Sequence, residues 1–111
     1  MALIQPIPKG ITRTWELVST ALDTTGDISN VAEGGLAHFL GTIYIITSNT
    51  PSMTISIQES PDNSNWVTID TQVIAGNEAY RIQQPFPYLR LVADSVSGGQ
   101  IDNITLFGII V

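Results

Sequence analysis

One hundred and eleven residues are enough for one domain with one core and too few for two ordinary ones. Apolar residues make up 43% of the chain and charged residues only 13%, against roughly 25% charged in an average soluble domain. The exterior must therefore be built from Ser, Thr, Asn, Gln and Gly, or be covered by partners. Ten acidic against four basic residues give a net charge of -6. Lys9, Arg13, Arg81 and Arg90 are scattered, which excludes the clustered basic footprint of a nucleic-acid binder.

Cysteine is absent, so disulfides and thiolate chemistry are excluded, and the chain is expected to assemble in a reducing cytoplasm. The first ten residues, Met-Ala-Leu-Ile-Gln-Pro-Ile-Pro-Lys-Gly, lack the basic start and unbroken apolar run of a signal peptide. No stretch approaches the ~18 apolar residues of a membrane span. A soluble product with no membrane partner is expected.

In chain order, residues 1–11 read as an extended arm, kept out of any sheet centre by Pro6 and Pro8. Residues 12–111 read as a single domain. Short alternating or apolar runs predict strands near 12–18, 37–47, 53–59, 66–70, 79–83, 88–94 and 104–111. Turn signals separate them at 23–27, 33–35, 49–51, 61–64, 75–77 and 97–99. Seven or eight strands at this spacing predict an all-β antiparallel β-sandwich, of jelly-roll or discoidin-like type. The 18–35 region predicts a long loop, with one helical turn possible over 19–23, and a loop of that length is functional or ordered by a neighbour.

The two-residue period assigns faces. Met53, Ile55 and Ile57 share one side, as do Leu89, Leu91 and Ala93, so both strands are half-buried. The run Ile43-Tyr-Ile-Ile46 is apolar on both faces, which places it centrally or beneath a partner. The terminal run Ile104-Thr-Leu-Phe-Gly-Ile-Ile-Val111 is apolar on both faces too, with no lysine guarding it. It is either a central strand or covered by another subunit. Leu3, Ile4 and Ile7 of the arm and Phe107, Ile109, Ile110 and Val111 of the tail are the interface candidates.

Between two strands, Ser60-Pro-Asp-Asn-Ser-Asn65 leads into Trp66. Pro61 presets φ, while Asp62 and Asn63 tolerate the left-handed conformation and bond their own backbone. Trp66 caps the edge where two strands emerge, as a packing residue or, with Tyr80 and Tyr88, as a stacking platform for a sugar. Arg81 and Arg90 are expected on neighbouring outer faces of adjacent strands, forming interface ion pairs with residues such as Asp70 or Asp94 or pairing across strands within the subunit.

His38 is the only histidine and has no carboxylate cluster around it, so no metal site is expected there. Asp23, Asp27 and Glu33 do not match the spacing of a calcium loop and read as solvated turn residues. No nucleophile elbow, glycine-rich nucleotide loop or distinguished carboxylate pair occurs. No catalytic residue and no cofactor is expected.

The pattern Ile-Ser-Ile-Gln-Glu-Ser-Pro-Asp-Asn-Ser-Asn-Trp-Val, with Phe-Pro-Tyr-Leu-Arg-Leu downstream, resembles the strand–turn–tryptophan signature of discoidin-type sandwiches. Asn63 stands where that family has glycine, and the chain is shorter and lacks its disulfide. The same hairpin is similar to those of small β-sandwich proteins of tailed-bacteriophage particles. The phage resemblance implies a non-enzymatic viral structural protein: a capsid cement or decoration protein that forms a homo-oligomer, with a trimer favoured. It would dock on the major capsid protein or another virion protein, assembled in the host cytoplasm and carried in the virion. The alternatives are a phage tail or fibre component, or a carbohydrate-binding module using Trp66, Tyr80 and Tyr88.

Overall fold

Two long strands carry the fold, and each is longer than its sequence suggests. A computed structural model describes residues 11–34, 39–83 and 86–110. Among them are β1 (Ile11–Glu16), β2 (Ala32–Glu33), β3 (Phe39–Ser60), β4 (Val67–Ile74), β5 (Glu78–Ile82) and β6 (Tyr88–Ile110). All pairings are antiparallel. The main path runs β1-β6-β3-β4, with β2 added to β6 and β5 added to β3.

The expected turns at 49–51 and 97–99 do not end strands; they bend them. Ser48 pairs with Gln100 and Ser52 with Gly98, so three residues of β3 face the single Gly99 of β6. Such a bulge kinks a strand without ending its pairing. Asn49 and Thr50 take positive φ, 61° and 53°, and Gly99 does so at 71°. Pro51 falls in the unpaired stretch, where its missing N–H costs no ladder bond. A side chain at residue 99 would put Cβ within 2.3 Å of Pro51 Cα, so glycine is required there on two counts. The seven expected strands thus become five, because two pairs of them are continuous, and the short β2 makes six among the described residues.

The bend divides the sheet into two layers. The first holds β1, the later half of β6, the early half of β3, and β5; the second holds β2, the early half of β6, the later half of β3, and β4. Strands that pass between layers through bulges form the corners of a sandwich. Ile43, Ile45, Ile104 and Leu106 of the first layer join Ile55, Ile57, Leu89 and Leu91 of the second in one buried core. Trp15 of the first layer meets Phe86 at the start of the second edge to face, ring centroids 5.7 Å apart. The antiparallel β-sandwich expected from the sequence is the observed fold.

The 18–35 region holds no helix among its described residues. It runs antiparallel along β6 as an irregular edge. Leu22 and Ile101 exchange two backbone bonds of 2.9–3.0 Å, Gly26 N donates to Ala93 O, and Ser29 N donates to Leu91 O. The Ser29 hydroxyl accepts from Leu91 N at 2.9 Å. The loop is ordered by a neighbour, and that neighbour is β6. At its end Gly34 lies so close to Phe86 that a Cβ would sit 2.5 Å from the ring.

The run at the chain's end resolves as a central strand, with β1 on one side and β3 on the other. The arm residues Leu3, Ile4 and Ile7, together with His38, Val111 and the side chain of Ile110, lie outside the described residues.

Candidate functional site

The two layers differ on their outer faces, and the register shows how. In the first layer, Thr12, Ile109 and Leu40 lie in one cross-strand row, and Thr14, Phe107, Thr42 and Arg81 in the next. Glu16, Thr105, Tyr44 and Ala79 form the third, followed by Asn103 and Ile46. Their in-register neighbours Ile43, Ile45, Ile104 and Leu106 are fully buried. Alternation therefore turns this second set away from the core.

Leu40, Tyr44, Ile46, Phe107 and Ile109 are 39–47% exposed. Leu40, Thr42, Tyr44, Phe107 and Ile109 line a shallow groove of about 310 Å³ beside Arg81. Arg81 Nη1 donates to Thr42 Oγ1 at 2.6 Å and covers that hydroxyl. At the opposite margin, Glu16 Oε2 accepts from Asn103 Nδ2 and Thr105 Oγ1, both at 3.1 Å. The result is an apolar strip with a guanidinium on one border and a carboxylate on the other.

The outer face of the second layer carries a polar network across its strands, flanked by exposed Ile28 and Val73. Arg90 Nε donates to Gln58 Oε1 at 2.9 Å, and Gln58 Nε2 donates to Thr68 Oγ1 at 3.2 Å. The Ser56 hydroxyl donates to Asp94. These bonds cross three neighbouring strands and satisfy the side chains laterally. Arg90 also stacks on Trp66, its Cζ 4.1 Å from the ring centroid, a cation–π contact.

The turn beneath Trp66 is built around Asp62. Its Oδ1 accepts from the backbone N–H groups of Ser64 and Asn65 at 2.9 and 2.8 Å, and its Oδ2 from Asn65 Nδ2 at 2.6 Å. The Ser60 hydroxyl donates to Oδ1 at 3.0 Å. The backbone N–H groups of Asn65 and Ser64, aided by these side chains, hold the Asp62 carboxyl well below the usual carboxylate range. Asn63 takes φ 64°, a left-handed conformation that asparagine tolerates.

The sugar-stacking candidates do not converge. Trp66 and Tyr88 stand at the same end of the second layer's outer face, since Tyr88 pairs with Ser60 and alternates with buried Leu89. Tyr80 pairs with Ile43 in the first layer and packs against the core from the inner side. Burial, then the negative charges of Glu78 and Asp70, push its phenol up from the ordinary tyrosine value. Trp66 stays half-buried under Arg90 and outside the buried core. Asp27 spends Oδ2 on the N–H groups of Asp23 and Thr24, both at 3.0 Å, closing the 23–27 turn. Among the described residues, Arg81 of the first layer bonds to Thr42 and Arg90 of the second to Gln58.

Phe107 and Ile109, marked by the sequence, fall inside the apolar strip. Leu40, Tyr44 and Ile46 complete it, and alternation along 40–46 was the signal for them. Glu16 carried no signal, because only the β1–β6 register brings it to this face.

Neither a family model nor a curated protein matches the chain. Among solved structures it is similar to the CBM36-1 domain of a multidomain xylanase from the hindgut metagenome of Trinervitermes trinervoides. The two share 17% identity with a TM-score of 0.50, over 91% of this chain and 87% of that one. It is also similar to PirA, at 14% identity and a TM-score of 0.49 over 87% and 92% of the two chains. The Yersinia pseudotuberculosis-derived mitogen follows, at 14% and 0.45 over 92% and 87%. At 17% identity, the likeness to the CBM36-1 domain shows the fold alone, a small β-sandwich.

Proposed function

We propose that this chain is a non-enzymatic assembly module that works by burying the apolar outer face of its first layer against further protein. In its specific form the reading is a decoration or cement protein of a tailed-bacteriophage particle, associating with its own copies and docking on the capsid shell. The observation that carries the assembly reading is the strip of Leu40, Tyr44, Phe107 and Ile109, exposed on a sheet whose other face already holds the core. Contiguous apolar patches of this kind mark interaction surfaces. Each Å² covered contributes about 25 cal/mol, and symmetric assemblies repeat the gain at every contact. The phage setting is supported by the hairpin resemblance and by the sparse charge of the chain.

The first test is light scattering on the full chain with the Leu40→Ser/Phe107→Ser double variant beside it. Wild type is expected to exceed the monomer mass and the variant to fall to it with its circular dichroism unchanged. Equal monomer masses for both proteins at every concentration would remove the assembly reading.

A second reading, carbohydrate binding, is favoured by the half-buried Trp66 held under Arg90 with Tyr88 at the same end. Calorimetric titration of soluble glycans should then show saturable heat that Trp66→Ala abolishes while the protein stays folded. Heat that persists in the variant would separate sugar binding from this tryptophan.

A further inference from the structure

The strip's two charged borders say how a second copy would sit on it. Among the described residues that turn outward in the first layer, Arg81 and Glu16 are the charged ones on its outer strands, while Asp102, bonded to Gln100 and Ser48, lies on β6 near the bulge. Arg81 lies on β5, one outer strand of the layer, and Glu16 on β1, the other. Two such faces can be stacked about a two-fold axis in two simple ways. An axis perpendicular to the strands sets each border over its own kind, arginine facing arginine and glutamate facing glutamate. An axis parallel to the strands, running between β3 and β6, exchanges the borders.

Resting on the assembly reading above, we propose that two copies pack their first-layer faces about the axis parallel to the strands, with Glu16 of each opposite Arg81 of the other. This operation lays Leu40 over Ile109 of the second copy and Ile109 over its Leu40, because the two residues share one row. Phe107 falls over the second copy's Thr42, beside its Tyr44. Glu16 lies one outward row from the level of Arg81, about 7 Å along the strand. Two long side chains span that offset across sheets packed about 10 Å apart. The contact is isologous, one patch meeting itself, so it closes at two copies. The trimer implied by the phage resemblance would instead need two different patches to meet. The face is only four strands wide, about 19 Å, so association is concentration-dependent and not obligate.

The test is sedimentation equilibrium of the full chain over a range of concentrations, with Glu16→Arg, Arg81→Glu and the double exchange. Each single variant sets like charges against each other at both ends of the interface and should weaken dimerisation about tenfold or more. The double variant should return to within about threefold of wild type, since it restores opposite charges in exchanged places. Rescue by the double variant also shows that the single losses are not misfolding. If Leu40→Ser/Phe107→Ser dissociates the dimer but the charge variants leave its affinity unchanged, the face stands and the two-fold packing is overturned. A trimeric wild-type mass overturns the packing as well. A wild type that is monomeric throughout overturns both this packing and the reading it rests on.

Discussion

The first and second layers share two strands, one core and a common pairing pattern, yet their outer faces are arranged differently. On the second layer, Arg90, Gln58 and Thr68 bond sideways across three strands and the buried Ser56 hydroxyl bonds to Asp94, with Ile28 and Val73 exposed beside them. On the first, the same strands continued past the bulge present Phe107, Ile109, Leu40 and Tyr44. The inner alternation is as strict in both, so the core does not explain the difference. What it teaches is that a single pair of strands can carry a side-chain hydrogen-bond network at one end and a row of exposed apolar side chains at the other, with the corner at Asn49, Thr50 and Gly99 separating them.

The largest effect should come from the core that unites the layers. Leu91→Ala in the second layer and Ile104→Ala in the first each empty a fully buried position and should cost about 2–5 kcal/mol. Trp15 reports on the first layer and Trp66 on the second, so Trp15→Phe and Trp66→Phe variants follow each layer by fluorescence. Coincident denaturation curves are expected. Separate midpoints would mean two folding units, and the comparison would lose its common core.

Next in size is the corner. Gly99→Ala must hold an alanine at φ 71° and push its Cβ into the Pro51 backbone, for a loss of about 2 kcal/mol or more, read from the urea midpoint. An unchanged midpoint would mean that the bend is not rigid.

The outer faces should then separate in kind. Phe107→Ser is expected to lower the mass in solution and change monomer stability by less than about 1 kcal/mol. Val92→Ser, on the second layer, should leave the mass unchanged. A mass shift from Val92→Ser would erase the distinction between the faces.

Smaller still, Trp66→Ala removes the cation–π contact with Arg90 at a cost of about 1 kcal/mol, measured by thermal melting. The Asp62 turn should have the least effect and show mainly as a pH dependence. Its folded carboxyl is depressed by Asn65 and Ser64, so its contribution is present above the ordinary carboxylate range and is lost as pH falls towards the folded value. The midpoint gap between wild type and Asp62→Asn should therefore narrow in acid. A gap independent of pH would assign the turn's strength to Asn63 and Pro61 instead.

Much of the fold was legible before any coordinates. The period of two along 53–57 and 89–93 picked out Met53, Ile55, Ile57, Leu89, Leu91 and Ala93, all buried, because alternation needs only the local geometry of a strand. The Pro61–Ser64 turn was readable for the same reason: Asp and Asn bond their own backbone whatever surrounds them. The breaks at 49–51 and 97–99 were misread, since the same residues make a turn or a bulge depending on whether a partner strand continues opposite them. The candidate site divided along this line. Phe107 and Ile109 announced themselves as apolar residues in a run too greasy for one face, but their neighbours and charged borders depended on register. Pairing β1 with β6 and β5 with β3 put Glu16 and Arg81 on opposite margins of one strip, although 65 positions separate them in the chain. Local stereochemistry chose the strands and their faces; long-range hydrogen bonding alone decided which of those faces became neighbours.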